Sequence, residues 1–168
     1  MKNYKLIWLG IFCCLQPFIL FAQRGETIRK AFLDPKSEQV LVVAHRGNWR
    51  SAPENSVAAI DSAIQMGVDI VEIDIHKTKD GQLILMHDDR VDRTTNGKGL
   101  IKDYTLAEIK KLKLKDKDGN LTEHTVPTLE EALLAGKGQI MFNLDKAYSV
   151  FDEVYACLLY TSPSPRDR

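Results

Sequence analysis

The arrangement that most constrains this chain is a pair of apolar runs flanking one helical stretch. Val40-Leu41-Val42-Val43-Ala44 is short, continuous and rich in β-branched residues. It predicts a strand buried on both faces, as in a parallel sheet. Residues 68–75 form the second run, with Val71, Ile73 and Ile75 on one face and Ile70, Glu72 and Asp74 on the other. Between the runs, Val57, Ile60 and Ile64 fall at helical spacing beside Ala58, Ala59 and Ala63. Pro53, Glu54 and Asn55 suit the helix cap or first turn, and Gly67 stops the helix. Strand, helix and strand make a βαβ unit, so the two strands should be parallel with a right-handed crossover.

The next extended run, residues 83–87, follows after only the short stretch 76–82. A parallel return needs a dozen or more residues, so this run must form an antiparallel hairpin. A two-residue Asp80-Gly81 turn would place Asp74 opposite His87; a three-residue turn would pair Ile73 with His87 instead. The two-residue turn is the expectation. Residues 88–102 read as a long loop. Thr105 with Glu108, and Thr128 with Glu131, are capping boxes that open helices, the second ended by Gly136. Residues 113–124 read as charged and turn-like. Residues 139–145 predict another strand, and Phe151, Val154, Tyr155 and Leu158 begin a last helix.

Ionisable residues gather where these strands end. The first ends at His45-Arg46, the second at Glu72 and Asp74, the last at Asp145-Lys146, and the hairpin brings His87 back toward the same mouth. Each has a plain structural reading. Glu72 and Asp74 could face solvent, His45 could be a satisfied strand-end histidine, and Asp145-Lys146 could be a surface pair. Together those readings require four coincidences at one end of one sheet. An α/β active site explains them at once, most often in a (β/α)8 barrel. Two carboxylates at i and i+2, with a third from another strand, supply hard oxygen ligands for Mg2+ or Ca2+. Without a cation, three clustered carboxylates would repel one another. Two histidines can serve as acid and base, and Arg46 offers a planar fork for phosphate. The combination suggests cleavage of a phosphate ester. His76 is read as exposed hairpin and His124 as solvated loop. The Asp116-Lys117-Asp118-Gly119-Asn120 stretch has too few acids for an EF-hand.

Composition sets the remaining bounds. Lys and Arg number 23, and Asp and Glu 23, which excludes a nucleic-acid binder driven by bulk positive charge. Lys2 and Lys5 precede a run from Leu6 to Ala22 in which 14 of 17 residues are apolar. That describes a secretory signal peptide over residues 1–22, and an exported, periplasmic or extracellular protein. Removing 22 residues from 168 leaves 146, with 21 basic and 23 acidic residues and a net charge of −2. Only Cys157 then remains, so packing, without a disulfide framework, must hold the core. No stable membrane anchor is expected after cleavage.

His45-Arg46-Gly47, Pro53-Glu54-Asn55-Ser56, Glu72-Ile73-Asp74-Ile75, Thr78-Lys79-Asp80-Gly81, His87-Asp88 with Arg93-Thr94-Thr95, and Val126-Pro127-Thr128-Leu129 occur in that order. Over residues 40–157 the chain resembles the glycerophosphodiester phosphodiesterases. The resemblance implies a (β/α)8 barrel of the TIM type that hydrolyses glycerophosphodiesters to glycerol 3-phosphate and an alcohol. It implies that His45 and His87 are the acid/base pair, that Glu72 and Asp74 bind a divalent cation, and that Arg46 binds the phosphate. The family carries a Glu and, two residues later, a Lys on its next strand. Here Asp145 keeps a carboxylate as the third metal ligand, and Lys146 follows it directly as a substrate contact. A regular strand would turn Lys146 to the other face. The rivals are a phospholipase of the D or phosphatidylinositol-specific kind on the same fold, or an inactive fragment. A barrel of this type needs about 250 residues, so the chain is expected to be truncated at its C-terminal side. Residues 23–39 read as an N-terminal extension and 158–168 as a disordered tail outside the family pattern.

Overall fold

Residues 24–161 are described by a computed structural model; residues 1–23, with the run read as a signal peptide, and residues 162–168 lie outside them. A helix over residues 24–33 (α1) precedes strand β1 (Val43–His45), helix α2 (Val57–Gln65) and strand β2 (Ile70–Lys77). β3 (Leu83–Leu85), the short helix α3 (Leu106–Ile109), and strands β4 (Lys113–Lys115) and β5 (Leu121–Thr125) follow. Helix α4 (Leu129–Gly136), strand β6 (Met141–Asp145) and helix α5 (Phe151–Thr161) complete the order.

β1, β2 and β6 form one parallel sheet with β2 in the centre. The βαβ expectation holds. Its helix starts one residue later than the sequence suggested: Ser56 is the N-cap, its Oγ accepting from Ala59 N at 3.0 Å. Gly67 takes a φ of +77° just past the helix, as a C-terminal stop requires. Both capping boxes form as expected. α4 ends at Gly136, as expected, with Lys137 as its C-cap, and a close approach also demands glycine at position 136. A Cβ there would lie 2.5 Å from the Phe142 ring.

The central and edge strands differ in burial. Val71 and Ile73 on β2 are wholly buried. The first strand was expected buried on both faces from residue 40. It begins only at Val43, and Val42 and Val43 are about half exposed (53% and 51%). Among the described residues β1 pairs only with β2, so nothing covers its other edge. The apolar run was read correctly as strand-forming, but burial depends on the neighbours a strand has. α5 continues to Thr161, so residues 158–161 are helical rather than part of a disordered tail.

Two cores share the molecule. The first lies between the parallel sheet and helices α2, α4 and α5, and includes Ile60, Ala63, Val71, Ile73, Leu129 and Ala132. The second, Ile84, Met86, Val91, Ile101, Ile109, Leu114 and Val126, sits within the segment inserted between β2 and α4. In that segment the stretch read as charged turns forms the β4–β5 hairpin. Its tip is closed by Asp116, whose carboxylate accepts from the backbone of Asp118 and Asn120.

The β2–β3 hairpin corrects the expected register. Ile75 pairs with Leu85 and Lys77 with Leu83, which is the three-residue alternative. Thr78 N donates to Gln82 O at 2.9 Å, and Thr78 Oγ1 accepts from Gln82 N at 3.0 Å. The loop is therefore Lys79-Asp80-Gly81, with Gly81 at φ +79°. Glycine in the left-handed region closes a three-residue hairpin loop. Asp74 O accepts from Met86 N, so Met86 rather than His87 lies opposite Asp74.

Candidate active site

The parallel register assembles the site. His45 is the neighbour of Glu72, and Asp74 of Asp145. Strand pairing alone thus brings together the C-terminal residues of three strands. Glu72, Asp74 and Asp145 each offer an oxygen, and these atoms lie within 4.8 Å of one another. Glu72 and Asp74 are buried while Asp145 is exposed. Beyond Asp74 the central strand leaves its parallel neighbours and pairs with β3.

Three residues with positive φ shape the surroundings. Arg46, Asn55 and Lys146 are the only non-glycine residues among those described with left-handed backbone (φ of 57°, 55° and 59°), and all three touch this cluster. Such conformations cost on the order of 1–3 kcal/mol and concentrate at functional sites. At Arg46 the turn directs the backbone N–H onto Glu72 Oε2 at 2.8 Å. It also brings the Arg46 guanidinium back, with Nε 3.5 Å from Asp74 Oδ2 and Nη1 3.0 Å from Glu54 Oε1. Asn55 grips Asp74 at both ends. Its Nδ2 donates to Asp74 Oδ2 at 2.9 Å, and its Oδ1 accepts from Asp74 N at 3.1 Å.

Lys146 resolves the expected conflict of strand faces. β6 ends at Asp145, and the left-handed turn at Lys146 swings the ammonium to 3.4 Å from Asp74 Oδ1. It also donates to the His87 carbonyl. A regular strand would have sent it away. The condition of a regular strand is not met at Lys146: β6 ends at Asp145, as expected, and the backbone turns into the left-handed region one residue later.

One histidine stands beside the carboxylates and the other is joined to them through its backbone. His45 Nε2 lies 3.9 Å from Glu72 Oε2. The His87 carbonyl accepts from Lys146, and the His87 ring Nδ1 is 2.7 Å from Asp88 Oδ1. His76, read as exposed hairpin, instead belongs to β2, and its side chain is only 18% exposed. Its Nε2 is 3.3 Å from the His87 carbonyl. The exposed reading failed because β2 extends to Lys77, beyond the expected end at Ile75. His124, on β5, is exposed as expected.

The donor set fits a divalent cation. Asp74 Oδ1 is buried and lacks any hydrogen-bond partner. Counting Glu72, Asp74, Asp145, Arg46 and Lys146, the site carries −1. A 2+ ion would bring it to +1, complementary to a phosphodiester anion. Hard carboxylate oxygens suit Mg2+ or Ca2+.

Sequence reasoning missed the supporting residues Asn55, Glu54, Asp88 and Arg93. The only signal lay in the Pro53-Glu54-Asn55 and Arg93-Thr94-Thr95 motifs. Asparagine after a strand end tolerates the left-handed region. The ion pairs need tertiary structure to be seen. Arg93 holds Glu54 through two hydrogen bonds of 2.8 Å, and Asp88 at 2.7 and 3.1 Å. Those bonds, with one from His87, hold the Asp88 carboxyl well below the usual range although burial opposes them. Burial pushes Glu54 upward, and its contacts with Arg93 and Arg46 outweigh it.

The Glycerophosphoryl diester phosphodiesterase family profile matches residues 45–159. The chain belongs to that family. A glycerophosphodiester phosphodiesterase of Caldanaerobacter subterraneus subsp. tengcongensis is 45% identical over 109 residues, 64% of this chain and 45% of that protein. One from Bacillus subtilis is 51% identical over 75 residues, 45% of this chain and 26% of that protein. The crystal structure of a family member from Parabacteroides distasonis matches with a TM-score of 0.72 and 31% identity, covering 84% of this chain and 50% of that one. An Oleispira antarctica phosphodiesterase in complex with the product sn-glycerol-3-phosphate matches at 0.62 and 36%, covering 73% and 51%. The chain thus spans from about a quarter to about half the length of these relatives. The family fold is the (β/α)8 barrel, and β1, β2 and β6 are neighbouring parallel strands of it.

Proposed function

We propose that this site hydrolyses glycerophosphodiesters to glycerol 3-phosphate and an alcohol, with a divalent cation. The observation that carries the reading is the Glu72, Asp74 and Asp145 cluster, with His45 beside Glu72 and Lys146 joining Asp74 to the His87 backbone. Family membership supports it, as does the product seen in the Oleispira antarctica relative.

Glu72, Asp74 and Asp145 would hold the cation, which supplies positive charge for the non-bridging phosphate oxygens. Arg46 and Lys146 add positive charge at the same place and orient the phosphate. Asn55 fixes Asp74, so the carboxylates are set before substrate arrives. One histidine takes the proton of the attacking oxygen, which comes from water or from the substrate's neighbouring hydroxyl. A water oxygen bonds to phosphorus as the phosphorus–alkoxide bond breaks and gives glycerol 3-phosphate; a substrate hydroxyl gives a cyclic phosphate, in which water then breaks one ring P–O bond. The other histidine gives its proton to the leaving alkoxide.

Release of glycerol 3-phosphate from glycerophosphocholine, with Mg2+ or Ca2+ and after chelation, tests the proposal. Turnover that chelation abolishes is expected. Turnover unaffected by chelation would remove the cation from the mechanism. Release from intact phosphatidylcholine or phosphatidylinositol, and none from glycerophosphocholine, would replace the reading with the phospholipase one. We also propose export, supported by the basic start and apolar run of residues 1–22. N-terminal sequencing of secreted protein beginning near residue 23 is the expected result.

A further inference from the structure

Asp88 and Arg93 have no part in the chemistry above, yet they hold one side of it. His87 Nδ1 meets Asp88 Oδ1 at 2.7 Å. Arg93 Nε donates to Asp88 Oδ2 at 2.7 Å and Nη2 to Oδ1 at 3.1 Å. The same guanidinium donates through Nη1 and Nη2 to the two oxygens of Glu54, each at 2.8 Å. Glu54 Oε1 in turn accepts from Arg46 Nη1 at 3.0 Å. One unbroken chain of side chains therefore joins His87 to Arg46. It crosses from the loop after β3 to the loop after β1.

The direction of the first link follows from chemistry. An ionised carboxylate only accepts hydrogen bonds, and Arg93 keeps Asp88 ionised. His87 Nδ1 must then be the donor. The neutral ring is fixed with its proton on Nδ1, leaving the Nε2 lone pair open. In water the neutral imidazole prefers the opposite arrangement, so the fold has to impose this one.

We propose that Asp88 is a positioning residue that fixes His87 as the Nδ1–H tautomer. Arg93 sets the plane of Asp88 and ties it through Glu54 to Arg46. The proposal rests on the reading of His87 as an acid/base group, and it makes Nε2 the ring atom that takes up or releases the proton.

Exposed ion pairs ordinarily contribute little because both side chains must be ordered. Here much of that ordering is already done. Val91, two residues before Arg93, is wholly buried in the second core. Its N–H donates to Gly99 O at 3.1 Å, and its carbonyl accepts from Thr95 N at 3.1 Å. Lys115 N donates to Thr94 O at 2.8 Å, which fastens the loop to β4. Arg93 thus reaches from a fixed backbone. Its planar fork bridges two carboxylates, which a lysine ammonium cannot do in the same geometry.

Nitrogen NMR of the 168-residue chain, labelled with 15N-histidine and with His87 assigned by loss in H87Q, reads the tautomer directly. With the ring neutral, the wild-type protein should show a protonated Nδ1 and an unprotonated Nε2. Asp88→Asn should move the proton to Nε2, because an amide N–H can then donate to Nδ1. Arg93→Gln should give a mixture, and Arg93→Lys a spectrum between that mixture and wild type. In a second, uniformly 15N-labelled sample the amide signals of Ile73 and Ile75 report whether each variant is folded, and D88N preserves size if R93Q does not fold. In diester turnover D88N should lower kcat by on the order of 10²-fold or more, with KM changed by less than about threefold. A wild-type proton on Nε2, or spectra unchanged in both D88N and R93Q, would overturn the proposal. The expected tautomers without any diester turnover would overturn the functional reading alone. Turnover with the proton on Nε2 would overturn the positioning role alone.

Discussion

The two halves of the site are held by different means. Glu72, Asp74, Asp145 and His45 stand on parallel strands, and their proximity follows from backbone register. His87, Asp88 and Arg93 stand on the inserted segment, and side-chain hydrogen bonds bring them to the site. The first half rests on the sheet core and the second on its own smaller core. A cluster set by register is insensitive to pH and salt as long as the sheet survives. A cluster set by ion pairs responds to both. The cation-binding half should therefore outlast the acid/base half under stress.

The largest effects should come from removing chemistry from either half. His45→Ala or His87→Ala should lower diester turnover by about 10²- to 10⁴-fold. Neither should change cation affinity measured by calorimetry. A histidine variant that loses the cation as well would show that the halves are not separable.

Core substitutions test the same division through packing. Ile73 and Ile84 are both wholly buried, one in each core. Truncation of either to alanine should cost about 2–5 kcal/mol in denaturant melts. Ile73→Ala should weaken cation binding as well, because Ile73 lies between the two carboxylates on β2. Ile84→Ala should leave cation binding intact while the amides of residues 88–99 lose protection from hydrogen exchange. Equal loss of cation affinity in both would contradict two independent supports.

Asn55→Ala tests what holds Asp74 in place within the strand half. It removes both contacts with Asp74 and should weaken cation binding by about 10- to 100-fold. Calorimetric titration with Mn2+ checks it.

The smallest effect is in pH. Asp88 and Glu54 both have carboxyls lowered in the folded protein, mainly through Arg93 against the opposing pull of burial. A lowered folded value contributes stability that is full above the unfolded value near 4 and is lost as pH falls through the folded one. The stability difference between wild type and Arg93→Gln should be constant above about pH 5 and shrink below about pH 4. Partial exposure limits it to about 1 kcal/mol or less. A difference that grows on acidification would reverse the sign.

The strand half of the site could be read in advance because it depends on periodicity. Alternation through Val71, Glu72, Ile73, Asp74 and Ile75 decides which residues share a face, and the βαβ connection decides direction. The rest depended on single backbone angles. Gly81 closes a three-residue loop where Asp80-Gly81 suggested two, and that shifts His87 by one place. Lys146 enters the left-handed region, which no pattern requires of lysine, and so returns to Asp74. The ion pairs of Arg93 join residues 39 positions apart in sequence, a separation local pattern cannot span. The apolar run at residues 40–44 foretold a strand, but its exposure depends on which strands stand beside it.

A crystal of the protein soaked in Mn2+, with anomalous scattering measured at the metal edge, puts the central claim to the most direct test. One peak within coordination distance of Glu72, Asp74 and Asp145 is the expected result, with Asp74 Oδ1 among its ligands. No peak there, or a peak elsewhere with those carboxylates bonded only to Arg46, Asn55 and Lys146, would contradict it.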